Sequence, residues 1–222
     1  MNNLDKIKKI WRWIWKDDSI WSWIAALLVI FVFVKFIFFP VLALLFGTSL
    51  PLAGVESSSM DHQIIKNEFG VFGLCGNTYQ ENDVESLDFD GYWDECEDWY
   101  EERGLTKSEF EQFSLKNGFS KGDIILVWGR FIPKIGDIII FKPNLESRAP
   151  RPIIHRIVSI EDGIIGTKGD HNAEQLTQSN NLYRTDETNI TDERIMGKAI
   201  LRIPYLGWPK IWLVEFIKFI LG

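Results

Sequence analysis

Cysteine, histidine and methionine are scarce in this chain of 222 residues, which contains two, three and three of them respectively. Two cysteines, Cys75 and Cys96, are too few for a disulfide-rich scaffold, and they form no CxxC or Cys/His cluster. A zinc site is therefore not expected, and no other metal or cofactor is expected either. The spacing leaves open whether the two cysteines are bonded to each other or remain buried thiols.

An excess of basic charge is also missing from the chain. It has 31 acidic residues against 24 Lys and Arg, which gives a formal net charge of -7. Because a protein that binds nucleic acid needs a basic face, a nucleic-acid partner is not expected. The acidic residues crowd the middle of the chain, whereas apolar and aromatic residues crowd its two ends.

One long apolar run stands out near the N-terminus. Residues 20–50 are almost entirely apolar, which exceeds the roughly 20 residues that cross a hydrocarbon core. A cleaved signal peptide has a shorter apolar core, of about 7–15 residues, and ends at a small-residue cleavage site. The pattern therefore predicts an uncleaved transmembrane anchor over 20–48, preceded by a basic and aromatic segment over 1–19.

The residues before the anchor predict its orientation. Basic residues in loops beside a span favour the cytoplasmic side, and tryptophans favour the membrane interface. The basic residues are Lys6, Lys8, Lys9, Arg12 and Lys16, and the tryptophans are Trp11, Trp13, Trp15, Trp21 and Trp23. We expect a single-pass protein of the cell membrane, with a cytoplasmic N-terminus and an extracytoplasmic domain over 49–207. Residues 208–222 are expected to form an amphipathic or membrane-associated helix.

The extracytoplasmic part changes character along its length. An acidic insertion at about 62–118 contains a predicted helix over 92–103 and a capping box at Thr106 and Glu109. Its aromatic residues are expected to form a small core. After the insertion, short β-branched runs bounded by Gly, Pro and Asp predict a mostly antiparallel sheet, with strands at 124–128, 138–141, 153–160, 163–167 and 198–203.

A hydroxyl cluster, a strand histidine and a turn aspartate suggest nucleophilic chemistry. Ser57, Ser58 and Ser59 follow the anchor closely, His155 lies in an apolar strand, and Asp170 lies in a glycine-containing turn. A serine hydroxyl attacks an amide when a base takes its proton, and an acid orients that base. Each of these pieces alone is weak evidence for catalysis.

The order of five motifs is more specific than any single one. Ser-x-Ser-Met is followed by Gly-Asp-Ile-Ile-Ile-Phe, His-Arg-Ile-Val, Lys-Gly-Asp-x-Asn and Lys-Ala-Ile-Leu-Arg-Ile-Pro-Tyr-Leu-Gly-Trp. This series resembles type I signal peptidases, and most closely their archaeal and endoplasmic-reticulum branch, over nearly the whole chain except the insertion. The resemblance implies a mostly-β signal-peptidase fold on an N-terminal transmembrane helix, with a small helical insertion.

The resemblance also implies roles for individual residues. Ser59 would be the nucleophile, His155 the general base, Asp170 the orienting acid, and Ser57 a part of the oxyanion hole. Endoplasmic-reticulum-type enzymes carry a second aspartate six positions after the first, where this chain has Leu176. The acid is therefore Asp170, which we favour, or Glu174, or the enzyme works as a Ser-His dyad.

The implied activity is the removal of N-terminal signal peptides from exported preproteins at the bilayer surface, and the protein translocon is an expected neighbour. One alternative is a catalytically silent relative that acts as a translocon-associated scaffold, which the missing second aspartate favours. Another is a processing peptidase of the same clan with a narrow set of substrates. Cleavage of a generic preprotein separates the first alternative from the main hypothesis.

Overall fold

The computed structural model describes residues 3–67, 69–209, 211–212 and 216. It divides the chain into two compact units, Met1–Phe46 and Gly47–Gly222. The predicted helix over 208–222 falls mostly outside the described residues.

The first unit is helical. It contains α1 (Asn3–Lys16), α2 (Ile20–Phe33), a π-helical segment (Val34–Phe38) and α3 (Phe39–Phe46). The last three run on as one apolar helix of 27 residues, Ile20–Phe46, which is long and apolar enough to cross a membrane. Pro40 has no N–H to donate, and the π-helical segment lies just before it, where the regular hydrogen-bond ladder is interrupted.

The second unit is built on a six-stranded antiparallel sheet, which confirms the predicted mostly-β fold. Its strand order is β1-β5-β9-β6-β7-β8. The strands are β1 (Leu52–Gly54), β5 (Ile124–Trp128), β6 (Ile138–Phe141), β7 (Ile153–Glu161), β8 (Ile164–Lys168) and β9 (Ile195–Ile203).

Strand β6 is buried on both faces, which explains why it is apolar at every position. Ile138 and Ile140 pack into one core cluster with Met60, and Ile139 and Phe141 pack into another. Since successive side chains of a strand point to opposite faces, this central strand separates the two clusters. Met60 directly follows Ser57, Ser58 and Ser59, so it attaches the loop that contains them, the serine loop, to the first cluster.

The insertion contains a small sheet and two helices. The sheet consists of β2 (Ile65–Lys66), β3 (Phe72–Leu74) and β4 (Asn77–Tyr79), and the helices are α4 (Phe89–Glu101) and α5 (Lys107–Phe110). Helix α4 begins earlier than the sequence predicts because the Asp88 side chain accepts from Gly91 N at 2.9 Å as the N-cap. The predicted capping box at Thr106 and Glu109 is confirmed.

The insertion does not pack on itself alone. Its buried aromatic cluster includes Tyr92, Trp93, Tyr100 and Phe110, together with Val158 of β7. A disulfide joins Cys75 after β3 to Cys96 of α4, which answers the question that the spacing left open. The disulfide therefore joins two parts of the insertion, and the aromatic cluster packs the insertion against the main sheet.

Candidate active site

Ser59 lies in a loop that leaves β1 and is tied down on both sides of the serines. Val55 N donates to Asp123 O at 2.9 Å, and the Met60 carbonyl accepts from Phe119 N at 2.9 Å. Between these fixed points Ser57 is exposed and Ser59 is half-buried. Their hydroxyl oxygens lie 3.2 Å apart. The buried apolar neighbours thus hold a polar loop at the surface.

His155 lies on β7 opposite Ile139 of β6 and is almost completely buried. Its Nδ1 contacts the carboxylate of Glu187, which is fully buried. The other imidazole nitrogen, Nε2, consequently faces away from Glu187. A proton on Nδ1, directed at Glu187, leaves Nε2 able to accept one.

Gly169 marks the place where the histidine and the serine loop converge. A Cβ built on Gly169 would lie 2.8 Å from His155 Nε2 and 2.7 Å from the backbone carbonyl oxygen of Ser59. Separations this short mean that a side chain at position 169 would displace the imidazole or the serine loop. The structure therefore brings the Ser59 backbone carbonyl and His155 Nε2 to within 3 Å of the same point beside Gly169.

Glu187 is held by donors other than histidine. Its Oε1 accepts from Leu176 N at 2.6 Å, and its Oε2 accepts from the Thr167 hydroxyl at 3.2 Å. Its backbone also exchanges hydrogen bonds with Leu176 and Thr167. Leu176 stands where the endoplasmic-reticulum-type enzymes have their second aspartate, and here its main chain binds the carboxylate of Glu187.

The sequence predicts that Asp170 orients His155, but in the structure the Asp170 carboxylate contacts Arg156 and His62 instead. Asp170 Oδ1 accepts from Arg156 Nε at 2.9 Å, and its Oδ2 accepts from Arg156 Nη2 at 2.6 Å. Oδ2 also lies 2.9 Å from Nε2 of His62. The physical reason is that Arg156 and His155 are neighbours on a strand and point to opposite faces, so the acid that faces Arg156 cannot face His155.

Charge compensation fixes the ionisation of this second cluster. Burial alone would raise the pKa of Asp170, but the Arg156 charge and the hydrogen bonds from His62 and Arg156 hold it well below its usual range. Burial lowers the pKa of His62 in spite of its hydrogen bond to Asp170. Asp170 is thus ionised and paired with Arg156, and His62 is neutral.

The remaining sequence-predicted acid, Glu174, is exposed on the loop after Asp170. Glu187, which does contact His155, was missed by the sequence analysis. It lies in the segment Arg184-Thr185-Asp186-Glu187, and no motif in this segment sets it apart from the neighbouring Asp186.

Aromatic side chains of the insertion contact His62, Asp170 and Arg156. The Tyr92 ring stacks on His62 with centroids 3.5 Å apart, and the Tyr92 hydroxyl donates to Asp170 O at 3.0 Å. Phe110 lies under the Arg156 guanidinium at 4.7 Å. The aromatic residues predicted as a local core therefore also cover the Asp170 cluster.

Lys168 is a further buried charge at this boundary. Its Nζ donates to Gly169 O at 3.2 Å and lies about 5 Å from the ring centroids of Trp99 and Tyr100. Burial lowers the pKa of Lys168 to about 8. Among the residues that the structure describes, no group of three or more His, Cys, Asp or Glu is arranged to hold a metal ion.

Comparison with known proteins confirms the resemblance that the motifs suggest. The chain is 31% identical over 109 residues to the signal peptidase complex catalytic subunit of Pyricularia oryzae, covering 46% of this chain and 60% of that relative. It is 30% identical to the subunit of the same name from Chaetomium globosum, with the same coverage. The Candida albicans subunit is 28% identical over 49% of this chain and 66% of its own length.

These relatives are named as catalytic subunits of the signal peptidase complex, and the chain is similar to them over about half of its length. They are fungal and give no support to the archaeal side of the expected branch. The chain spans about 60% of the length of the first two relatives. No family model matches the chain.

Proposed function

We propose that this protein is a membrane-bound serine endopeptidase that cleaves N-terminal signal peptides from exported preproteins. The observation that carries the proposal is the convergence of the Ser59 loop and His155 Nε2 on Gly169. Similarity to signal peptidase catalytic subunits supports signal peptides as the substrate class.

In the proposed mechanism, the Ser59 hydroxyl attacks the scissile carbonyl carbon while His155 Nε2 takes its proton. Glu187 holds the imidazole at Nδ1 and stabilises the imidazolium that forms, which is the part that the acid plays in other serine peptidases. The proton then passes to the leaving amine, and a water molecule activated by the same histidine hydrolyses the acyl-enzyme.

Ser57 is proposed to stabilise the oxyanion. Its hydroxyl lies beside that of Ser59, at 3.2 Å, and on the exposed side of the loop where a substrate carbonyl would approach. A donor directed at the developing negative charge strengthens its contact during the reaction, which lowers the barrier.

Strand β1 is the proposed docking edge for the substrate. It is a terminal strand of the described sheet and leads directly into the serine loop. An extended peptide can add to such an edge through main-chain hydrogen bonds, which places its carbonyls next to the serine. Because the serines follow the proposed anchor by only about ten residues, we place the reaction near the bilayer surface.

The helix Ile20–Phe46 is the proposed anchor, with a cytoplasmic N-terminus and an extracytoplasmic catalytic unit in the cell membrane. The lipid bilayer and signal-peptide-bearing preproteins are its proposed partners. Because the relatives are named as subunits of a complex, we also propose that the chain works beside partner subunits near the protein translocon.

Cleavage of a preprotein by the detergent-solubilised protein tests this function. Ser59→Ala should lower the rate by about a millionfold, as loss of the nucleophile does in other serine peptidases. Ser58→Ala, which changes the adjacent hydroxyl, is the matched control and should retain most of the activity. If Ser59→Ala cut at the wild-type rate, the serine mechanism would be wrong, and a wild-type protein that bound but never cut would favour the scaffold alternative.

A further inference from the structure

Helix α1 (Asn3–Lys16) has two chemically different faces. At helical spacing, one face is apolar apart from Asn3 at the first position of the helix, whereas the other carries five basic residues, Asp5 and Trp13. The apolar face consists of Leu4, Ile7, Ile10, Trp11, Ile14 and Trp15, and none of the α1 residues is buried. Leu4, Ile7 and Trp11 each expose about 60% of their surface. An apolar face of this kind requires a covering that the rest of the unit does not supply.

A defined corner separates α1 from the apolar helix that follows. The Ser22 hydroxyl lies 2.8 Å from Trp13 O and 3.0 Å from Ile14 O, so it satisfies carbonyls at the C-terminal end of α1. Ser19 caps the start of α2 by accepting from Ser22 N, and the Asp17 carboxylate accepts from Ser19 N. The chain therefore ends one helix and begins another here, and α1 is not a continuation of the anchor.

The length and charge of α1 exclude a transmembrane position. Fourteen helical residues extend about 21 Å, which is less than a hydrocarbon core of about 30 Å. Charged residues at that depth would also be costly. A basic amphipathic helix with tryptophans on its apolar side instead fits the plane of the membrane interface.

We propose that α1 binds flat on the surface of an anionic lipid bilayer. Its apolar face would enter the acyl-chain boundary, and its five cations would contact acidic headgroups, whose charge they complement. The two tryptophans of that face suit the headgroup level, and the apolar helix that begins four residues after α1 holds it beside the bilayer. The proposal rests on the proposed membrane anchoring by Ile20–Phe46.

Single labels on opposite faces of α1 test this binding mode. The two native cysteines are joined to each other, so an introduced cysteine can be labelled selectively with an environment-sensitive fluorophore. Ile7→Cys places the label on the apolar face, and Lys9→Cys is the matched position on the basic face. The full chain is reconstituted into vesicles of phosphatidylcholine with or without phosphatidylglycerol, and flotation verifies that it is anchored.

In anionic vesicles, the label at position 7 should emit as in an apolar medium and be quenched by brominated acyl chains, whereas the label at position 9 should remain water-like. In pure phosphatidylcholine this difference should shrink. The variant Lys8→Gln/Arg12→Gln/Lys16→Gln should lower the equilibrium constant for surface binding by about fivefold for each cation removed.

Three results would overturn the proposal. Equal, water-like emission at both positions in anionic vesicles would show that α1 does not bind the surface. A signal at position 7 that depends on the protein-to-lipid ratio and not on phosphatidylglycerol would assign the face to a second copy of the chain. Failure to float would refute the anchoring itself, whereas normal peptidase activity with unbound α1 would leave the proposed function standing.

Discussion

Two buried histidine–carboxylate pairs, His155 with Glu187 and His62 with Asp170, have different neighbours. In the His155 pair, Nδ1 contacts Glu187, which is otherwise bound by the neutral donors Leu176 N and Thr167 hydroxyl. In the His62 pair, Nε2 contacts Asp170, which is bound at both oxygens by the Arg156 guanidinium. All four side chains are nearly or fully buried.

We propose that this difference determines which histidine acts as a base. The charge of Asp170 is already compensated by Arg156, so a proton on His62 would add an uncompensated charge in the interior, in line with its lowered pKa. Neutral donors leave the negative charge of Glu187 available to an imidazolium on His155. We therefore regard the His155 pair as the proposed catalytic pair and the His62 pair as a structural one.

Between the two pairs, the largest expected effect is on the cleavage rate when the acid of the His155 pair is neutralised. Glu187→Gln should lower kcat by about 10⁴-fold, as loss of the orienting carboxylate does in a Ser-His-Asp peptidase, because the imidazolium loses its counter-charge. Preprotein cleavage by the solubilised protein measures this loss, and thermal unfolding verifies that the variant is folded.

Glu174→Gln is the matched control, since Glu174 is exposed and carries the same charge, and it should cost little activity. The comparison would be reversed if Glu187→Gln remained active while folded Asp170→Asn was dead. That outcome would return the acid role to Asp170, as the motif resemblance implies.

Removing the acid of the other pair should act on stability first. Asp170→Asn leaves the fully buried Arg156 without its counter-ion, and breaking a buried ion pair in this way costs about 3–5 kcal/mol. Denaturant unfolding of the detergent-solubilised protein measures the loss in the free energy of unfolding.

Asp90→Asn provides the control for Asp170→Asn. Asp90 pairs with Lys107 at 3.0 Å in an exposed ion pair, so its loss should hardly change stability. An equal, small effect of both substitutions would show that the Asp170–Arg156 pair is not the structural centre that its burial indicates.

The elements that the sequence predicts well are those that local patterns determine. The sheet follows from short β-branched runs bounded by Gly and Pro, and the capping box at Thr106 and Glu109 follows from its spacing. The placement of His155 on a strand follows in the same way. These features depend on residues close together in the chain, so a single sequence contains the information.

The partner of His155 could not be predicted in this way. Glu187 lies 32 positions away from it and reaches it only because β7, β8 and the loop after β8 fold back on one another. The partner of Asp170 was missed for a related reason, because the alternation of His155 and Arg156 on β7 sends them to opposite faces. The contact of the insertion with Asp170 also depends on tertiary packing.

A smaller effect is expected where the insertion supports the His62 pair. The disulfide between Cys75 and Cys96 closes a loop of 21 residues, and its loss should cost about 3 kcal/mol. Because Cys75 N donates to His171 O beside Asp170, the double variant Cys75→Ser/Cys96→Ser should loosen this side of the site. Cleavage should persist, since the proposed catalytic residues lie outside the insertion.

Hydrogen exchange and activity together separate the two pairs in this variant. Exchange should increase in α4 and around Asp170, while the backbone around Glu187 stays protected. A complete loss of cleavage in the folded double variant would show that the insertion controls the His155 pair as well as the His62 pair.

The smallest expected effect concerns Lys168, whose charge interacts with both Asp170 and Glu187. Its pKa is about 8 in the folded protein, because burial lowers it, against an ordinary value of 10.5. Between pH 8 and 10.5 the unfolded chain therefore holds a proton that the folded protein has lost, so the free energy of unfolding should rise with pH, by at most about 1.4 kcal/mol per unit. Tyr92 and Tyr100, whose pKa values are raised by burial, oppose this rise only once tyrosines of the unfolded chain ionise near pH 10.

Denaturant unfolding between pH 7 and 9.5 measures the slope. Lys168→Met removes the titrating group and should flatten the rise, whereas Lys66→Met, at an exposed position, should keep it. A slope that persisted in Lys168→Met would mean that another group titrates in this range. Burial lowers the pKa of Lys168 more than the charges of Asp170 and Glu187 raise it. Removing this side chain therefore removes the difference in bound protons between the folded and unfolded states, and the profile flattens.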